Sequence, residues 1–154
     1  MPPEPRPPGA TDRPSPRIAR RLLLAYVVLA AVVLLQPTPT VASGGVARIG
    51  DVLDALGAPS FVLAPGRVEA LVNAALFAPP VALALVAVPG LRWTTAVTAS
   101  FVASLGVEIV QGLFLPERSS QAIDVVANTS GAVVGALLGL AFQRWYDARS
   151  APQA

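Results

Sequence analysis

Three apolar segments, each long enough to cross a lipid bilayer, follow one another with only a few residues between them. They occupy residues 68–88, 93–115 and 121–142. At about 1.5 Å of rise per residue, an α-helix of this length matches a hydrocarbon core roughly 30 Å thick. Because connections this short make neighbouring helices run antiparallel, the sequence predicts an all-α membrane protein built as a helix bundle.

The composition agrees with a membrane protein and excludes several kinds of active site. Of the 154 residues, 54% are hydrophobic and 13% are charged, and the mean hydropathy is +0.62. Cysteine, histidine and lysine are all absent. Without them the chain has no thiolate nucleophile, no imidazole metal ligand and no Schiff-base amine. We therefore predict no metal site and no cofactor, and any acid–base chemistry would fall to Glu, Asp or Tyr.

The N-terminal region is predicted to contain a tail and a further span. Residues 1–17 hold seven prolines and few large apolar side chains, which predicts a disordered cytoplasmic tail. Residues 18–36 are apolar over a length just sufficient for a span whose flanking side chains reach the interface. Alternatively, this segment is a signal peptide, because TVAS at 40–43 offers small residues for cleavage. The sequence leaves both readings of the segment open.

A short helical pattern lies between the first and second spans. In VARIGDVLDAL, residues 46–56, apolar residues recur at helical spacing while Arg48, Asp51 and Asp54 lie elsewhere around the helix. We predict a short extracytoplasmic amphipathic helix on the membrane surface. Residues 18–145 would then form a four-transmembrane-helix bundle, followed by a cytoplasmic tail at 146–154.

The distribution of arginines predicts the direction of the bundle. A cytoplasmic N-terminus places eight arginines inside, namely Arg6, Arg13, Arg17, Arg20, Arg21, Arg92, Arg144 and Arg149. It leaves three outside, namely Arg48, Arg67 and Arg118. Positive charge is retained in the cytoplasm, so we expect a multi-pass protein of the cell membrane with both termini cytoplasmic. The same explanation accounts for the sequence pI of about 9.9, and we predict no nucleic-acid partner.

Polar side chains of three predicted spans are expected to meet at one level in the outer leaflet. With the predicted directions, Asn73, Glu108 and Asp124 each lie within about 10 Å of the outer ends of their helices. Gln111 shares a helix face with Glu108, and Asn128 shares one with Asp124, because the pairs are three and four residues apart. A carboxylate in lipid is costly, so these faces should point into the bundle and form a polar pocket.

Two neighbouring features belong to the same region. Arg118, in the LPERSSQ turn between the third and fourth spans, is the expected partner of the two acids because its planar guanidinium can serve two oxygens at once. Gly131, Gly135 and Gly139 recur at four-residue spacing in the last span. Such a stripe predicts close helix packing.

The order and spacing of these residues resemble the VanZ-like family of small membrane proteins over roughly residues 20–142. The residues that carry the resemblance are Asn73, Phe77, Pro79, Glu108, Gln111, Arg118, Asp124, Asn128, Gly131 and Gly135. Position 121 departs from the pattern, because many members have an acidic residue there and this chain has Gln121. The family is named for an accessory protein of glycopeptide resistance that lowers susceptibility to teicoplanin, so the resemblance implies a possible relation to that phenotype.

Three classes of function fit the predicted polar pocket. The favoured hypothesis is binding of a lipid or a lipid-linked cell-envelope precursor, with Arg118 holding a phosphate or carboxylate and the amide side chains of the pocket bonding polar edges. A second is an enzyme or transporter that uses Glu108 and Asp124 for proton or cation chemistry, although no nucleophile is evident. A third is a purely structural polar layer that fixes helix register. The sequence carries no signal for the oligomeric state.

Overall fold

A computed structural model describes residues 16–36, 40–114 and 122–150 of the chain. Over these residues the structure consists of α-helices, with no β-strand, which confirms the predicted all-α class. The five helices are α1 Pro16–Leu34, α2 Thr40–Ala55, α3 Pro65–Ala87, α4 Trp93–Phe114 and α5 Ala122–Ser150.

Three of the described helices, α3, α4 and α5, are long and apolar enough to cross a membrane. Helix α1 is not among them. Its first six residues include Arg17, Arg20 and Arg21, which leaves an uninterrupted apolar run only from Leu22 to Leu34. At about 1.5 Å per residue this run is roughly 20 Å long, shorter than a hydrocarbon core. The protein is therefore a multi-pass membrane protein, and the fourth span predicted at residues 18–36 stays a prediction.

Helices α3 and α5 share the most extensive interface of the bundle. A Cβ atom built on Gly131 would lie 1.9 Å from the Ala74 carbonyl oxygen, and one on Gly135 would lie 2.1 Å from the Ala78 oxygen. At Gly139 the nearest atoms are farther, with the Leu85 Cδ1 at 3.0 Å. The glycine stripe of α5 thus packs directly on the backbone of α3. Only residues without a side chain allow two helices to approach this closely.

Two prolines inside α3 remove backbone donors from the bundle. Pro80 has no N–H group to donate to the Leu76 carbonyl four residues earlier. The Tyr26 hydroxyl of α1 donates to that carbonyl instead, at 2.9 Å. Because an unpaired carbonyl in hydrocarbon costs several kcal/mol, the contact removes a penalty that the sequence of α3 creates. It also fixes α1 alongside the middle of α3.

The C-terminal end of α3 is completed in the same way. Pro89 cannot donate to the Leu85 carbonyl, and the Gln143 side chain of α5 donates to it at 2.8 Å. The Ala87 carbonyl accepts from the Arg20 Nε atom at 3.0 Å. The start of α1 and the last third of α5 therefore both lie beside the end of α3. Helix α3 therefore runs antiparallel to α1 and parallel to α5, whose glycines meet successive turns of α3 in the same order.

Glycines with positive φ end α2 and form the turn after α3. Gly57, with φ of 77°, allows the Ala58 N–H to donate to the Leu53 carbonyl at 2.9 Å, as in a Schellman C-cap. Gly90, with φ of 79°, follows Pro89 in a turn closed by the Leu91 N–H on the Val88 carbonyl at 3.1 Å. Pro and Gly at these positions are the signature of a type II turn. This tight turn reverses the chain between α3 and α4.

Helices α2 and α5 extend well beyond their predicted ends. Helix α2 begins at Thr40 instead of residue 46, because the preceding small residues show no apolar periodicity and carry no sequence signal. Helix α5 continues to Ser150, past the predicted span end at 142. Its 29 residues measure about 43 Å, so one end projects beyond a hydrocarbon core. Polar residues from Gln143 onward end the apolar run without ending the helix.

Candidate functional site

A partly open cavity of about 800 Å³ lies at one end of the bundle, which we term the cavity end. Its wall includes residues from the last turn of α1, from α2, from the first half of α3, from the last third of α4 and from the first two turns of α5. Because long helices that follow one another in the chain run antiparallel, the ends of α1 and α4 meet the beginnings of α3 and α5 in this region. Helix α2 supplies residues from Ser43 to Asp54 to the wall and so contributes a side that the long helices do not.

Five of the six residues predicted to form a polar pocket line this cavity. They are Asn73, Glu108, Gln111, Asp124 and Asn128. The sixth, Arg118, lies outside the described residues. Gln121, which differs from the acidic residue common in the family, also lies outside them. The structure thus brings together, from α3, α4 and α5, the described polar side chains that the sequence placed at one level.

The buried face of α4 is polar where it borders the cavity. Ser104, Glu108 and Gln111 lie at spacings of four and three residues and are all buried, with Glu108 only 6% exposed. The rest of this half of α4 is largely exposed and apolar, as expected of a surface in contact with lipid. Where the buried side chains of a membrane helix are polar, that part of the helix faces a polar interior rather than an apolar core.

Three hydrogen bonds connect the polar residues of different helices. The Asn73 Nδ2 atom donates to the Asp124 Oδ1 atom at 2.9 Å, joining α3 to α5. The Gln111 side chain donates to the Leu34 carbonyl at 2.7 Å, joining α4 to the end of α1. That carbonyl ends a helix and so lacks an intrahelical donor. These contacts connect helices that form the cavity wall.

The third hydrogen bond leaves one acceptor without a partner. The Asn128 Nδ2 atom donates to the Ser104 hydroxyl at 2.8 Å, joining α5 to α4. Asn128 is 3% exposed, and its Oδ1 atom has no hydrogen-bond partner within the described part of the chain. A buried acceptor left unpaired costs about 1–3 kcal/mol. Such a group at a cavity wall has the free lone pairs needed to bond a donor that enters the cavity.

Sequence reasoning missed four residues of this region. Asp51, Asp54 and Glu69 line the cavity, although the apolar pattern of α2 indicated only that its acids lie off the apolar positions. The location of Asp51 and Asp54 depends on how α2 packs against the bundle, which helical periodicity does not encode. Glu69 is on α3, four residues before Asn73 and therefore on the same face. Ser104 could have been found, because it lies four residues before Glu108 and therefore on the same face.

The opposite end of the bundle is rich in arginines and aromatic rings. The Arg149 guanidinium lies over the Trp145 ring, 4.2 Å from its centre. Phe142 contacts the rings of Trp145 and Tyr146, with ring centres 5.9 Å and 6.4 Å apart. Aromatic residues with a polar edge, together with cations, are enriched at membrane–water interfaces. This end also contains Arg20, so the two ends of the bundle differ strongly in charge.

Comparison with known proteins agrees with the polar pattern at the cavity end. No curated protein and no solved structure matched the chain significantly. Among protein families, the VanZ/LLP1 family matches residues 23–143, which is more than three quarters of the chain and contains every polar residue of the cavity wall. The resemblance read from the sequence is thereby confirmed: the chain belongs to the VanZ/LLP1 family.

Proposed function

We propose that the chain is a four-span protein of the cell membrane whose cavity opens toward the outer leaflet and binds the head group of a lipid or a lipid-linked cell-envelope component. The observation that carries the proposal is the cavity of about 800 Å³ bordered by polar side chains of three apolar helices. Ligand pockets commonly measure about 300–1,000 Å³ and place a few polar groups on an otherwise apolar wall. A structural layer alone would not require such an opening.

The contacts of α1 support its role as the fourth span. Tyr26 donates to the Leu76 carbonyl halfway along α3, and the Leu34 carbonyl accepts from Gln111 near the end of α4. Helix α1 therefore follows the long helices from one end of the bundle to the cavity end. Its exposed side is strongly apolar, with Leu24 66% and Leu29 61% exposed. Such a surface is stable in lipid and costly in water.

The proposed direction follows from the arginines. Arg20, Arg92 and Arg149 belong to the start of α1, the α3–α4 turn and the last turn of α5, which all lie opposite the cavity end. The positive-inside rule assigns that end to the cytoplasm and the cavity to the outer side.

Cysteine labelling tests this direction, because the natural chain contains no cysteine. Ser60→Cys, in the exposed α2–α3 loop, should react with a membrane-impermeant maleimide on intact cells. Ile18→Cys, at the exposed start of α1, and Ala148→Cys, near the end of α5, should react only after the membrane is permeabilised. Labelling of Ile18→Cys and Ser60→Cys from the same side would show that α1 does not span the membrane.

Filling the cavity tests ligand binding without altering a charged residue. Gly50 of α2 lines the cavity, and a Cβ atom there would meet nothing within 4 Å. Gly50→Phe should therefore be tolerated in the fold while its ring occupies space that a head group needs. We expect at least a tenfold loss of bound lipid, equivalent to about 1.4 kcal/mol of binding free energy. The measurement is native mass spectrometry of the chain extracted from its membrane together with bound lipid.

Gly44→Phe is the matched control. Gly44 lies on the same helix, and a Cβ atom added to it would also meet nothing within 4 Å, but it does not line the cavity. Retention of lipid should equal that of the parent. Equal retention by Gly50→Phe and Gly44→Phe would place any bound lipid elsewhere on the bundle. The glycopeptide susceptibility of cells that express each variant gives the corresponding physiological readout.

A further inference from the structure

We infer that the head group taken up by this cavity carries a protonated primary amine. The inference rests on the proposed function and specifies the chemistry of its ligand. It follows from two independent features of the wall. One is the set of carboxyl groups around the cavity, and the other is the Asn128 amide oxygen, which has no hydrogen-bond partner among the described residues.

Five carboxyl side chains line the cavity, and they come from four helices. They are Asp51, Asp54, Glu69, Glu108 and Asp124. The first three are exposed at the rim, Asp124 is half-buried, and Glu108 is buried. The three rim acids place negative charge around the entrance to the cavity. A cavity lined by charge of one sign concentrates ligands of the opposite sign.

The described arginines near the rim are not part of the cavity wall. Among the described residues, no arginine lines the cavity. Arg67, two residues before Glu69, is directed to the α2–α3 loop, where its guanidinium donates to the Phe61 carbonyl and lies 5.9 Å from the centre of the Phe61 ring. A cationic ligand would therefore encounter the carboxylates of the wall without direct competition from Arg67.

Asn128 identifies the kind of cation that suits the interior. Its Oδ1 atom accepts no hydrogen bond in the described part of the chain, while its Nδ2 atom is used by Ser104. An ammonium group has three donors and no acceptor, so it can bond this oxygen and still face a carboxylate. A quaternary ammonium carries the same charge without an N–H donor. It would leave the amide oxygen unpaired.

The carboxyl groups are also distributed in a way that favours an organic cation. Within the described ranges, no three acidic side chains gather closely enough to hold a metal ion. An ammonium group on a flexible head group needs only one or two acceptors at a time and can pass from rim to interior.

Binding of lipids with identical acyl chains tests the inference on the purified full-length chain. The three probes are phosphatidylethanolamine, which has a primary ammonium, phosphatidylcholine, which has a quaternary one, and phosphatidylglycerol, which has no cation. We expect phosphatidylethanolamine to bind at least about tenfold more tightly than either of the other two. The measurement is native mass spectrometry in detergent, with Gly50→Phe showing which binding occurs in the cavity.

Rim variants assign the preference to the carboxylates. Asp51→Asn and Asp54→Asn remove one exposed charge each from α2 and should leave the fold intact. Each should reduce the preference for phosphatidylethanolamine over phosphatidylglycerol by roughly two- to fivefold, the range expected for a solvent-exposed charge pair. Asp147→Asn makes the same charge change at the opposite end of the bundle and should leave the preference unchanged.

The outcomes separate the inference from the proposed function. If no lipid binds in a manner sensitive to Gly50→Phe, the proposed function itself is wrong. If lipids bind in the cavity but phosphatidylglycerol or phosphatidylcholine binds as tightly as phosphatidylethanolamine, the cavity is a lipid site and the amine inference is wrong. Displacement of bound phosphatidylethanolamine by millimolar Mg²⁺ or Ca²⁺, but not by a soluble primary amine, would also contradict it.

Discussion

Gly131→Ala is expected to destabilise the bundle by roughly 3 kcal/mol, because the new methyl group would be placed 1.9 Å from the Ala74 carbonyl oxygen. The methyl group is fixed to the α5 backbone and the oxygen belongs to the α3 backbone, so neither can rotate away as a flexible side chain can. The two helices must separate, and this separation weakens the most extensive interface of the fold. The free energy of unfolding in detergent, measured by titration with sodium dodecyl sulfate and followed by tryptophan fluorescence, is the appropriate readout.

Other glycines of the chain provide a graded comparison. Gly135→Ala should resemble Gly131→Ala, since its methyl group would meet the Ala78 oxygen at 2.1 Å. Gly139→Ala should cost less, because its nearest neighbour is the movable Leu85 side chain at 3.0 Å. Gly106→Ala, on α4, meets nothing within 4 Å and should be neutral or slightly stabilising. Equal stabilities of Gly106→Ala and Gly131→Ala would contradict the close packing of α3 on α5.

Asn73→Asp is expected to have a similarly large effect at the cavity wall. The Asn73 Nδ2 atom lies 2.9 Å from the Asp124 Oδ1 atom, so the substitution replaces a donor with a second carboxylate facing the first. Two like charges about 4 Å apart repel by about 4 kcal/mol at an effective dielectric constant of 20. After relaxation of the side chains we expect a loss of about 3 kcal/mol in the free energy of unfolding at neutral pH.

An exchanged pair provides the control for this variant. In the double variant Asn73→Asp with Asp124→Asn, an amide again faces a carboxylate, with the direction of donation reversed. The double variant should recover more than half of the stability lost by Asn73→Asp alone. If the double variant is no more stable than the single one, the loss does not arise from the contact between these two positions.

The membrane-spanning part of the fold can be predicted closely from the sequence. The apolar pattern predicts α4 at 93–115, and the helix ends at Phe114, because an apolar run bounded by turns has a length that the bilayer dictates. Helix α2 is predicted less well, since Gly44 and Gly45 interrupt any apolar pattern at its start. In the additional turns of α5, the Gln143 side chain bonds to the Leu85 carbonyl of α3. Contacts of this kind are tertiary and leave no periodic signal.

The polar residues of the site can be predicted for a related reason. A Glu or Asn within an apolar span is easily recognised in the sequence, because polar residues are rare there. The direction of the helix then gives the depth of that residue in the membrane. Glu108 and Asn128 are identified in this way, and both line the cavity. Exposed acids such as Asp51 do not stand out, because charged residues are ordinary outside the hydrocarbon. The position of α2 over the bundle therefore had to come from the structure.

The proline-freed carbonyls of α3 constrain the order in which this protein can be assembled during synthesis. Helix α1 precedes α3, so Tyr26 is available for the Leu76 carbonyl as soon as α3 leaves the insertion machinery. The Leu85 carbonyl must wait for Gln143, near the C-terminal end of the last helix. Until residue 143 has been synthesised, the Leu85 carbonyl of α3 lacks this partner, which disfavours release of α3 into bulk lipid. Nascent chains truncated before residue 143 should accordingly remain associated with the translocon or its chaperones.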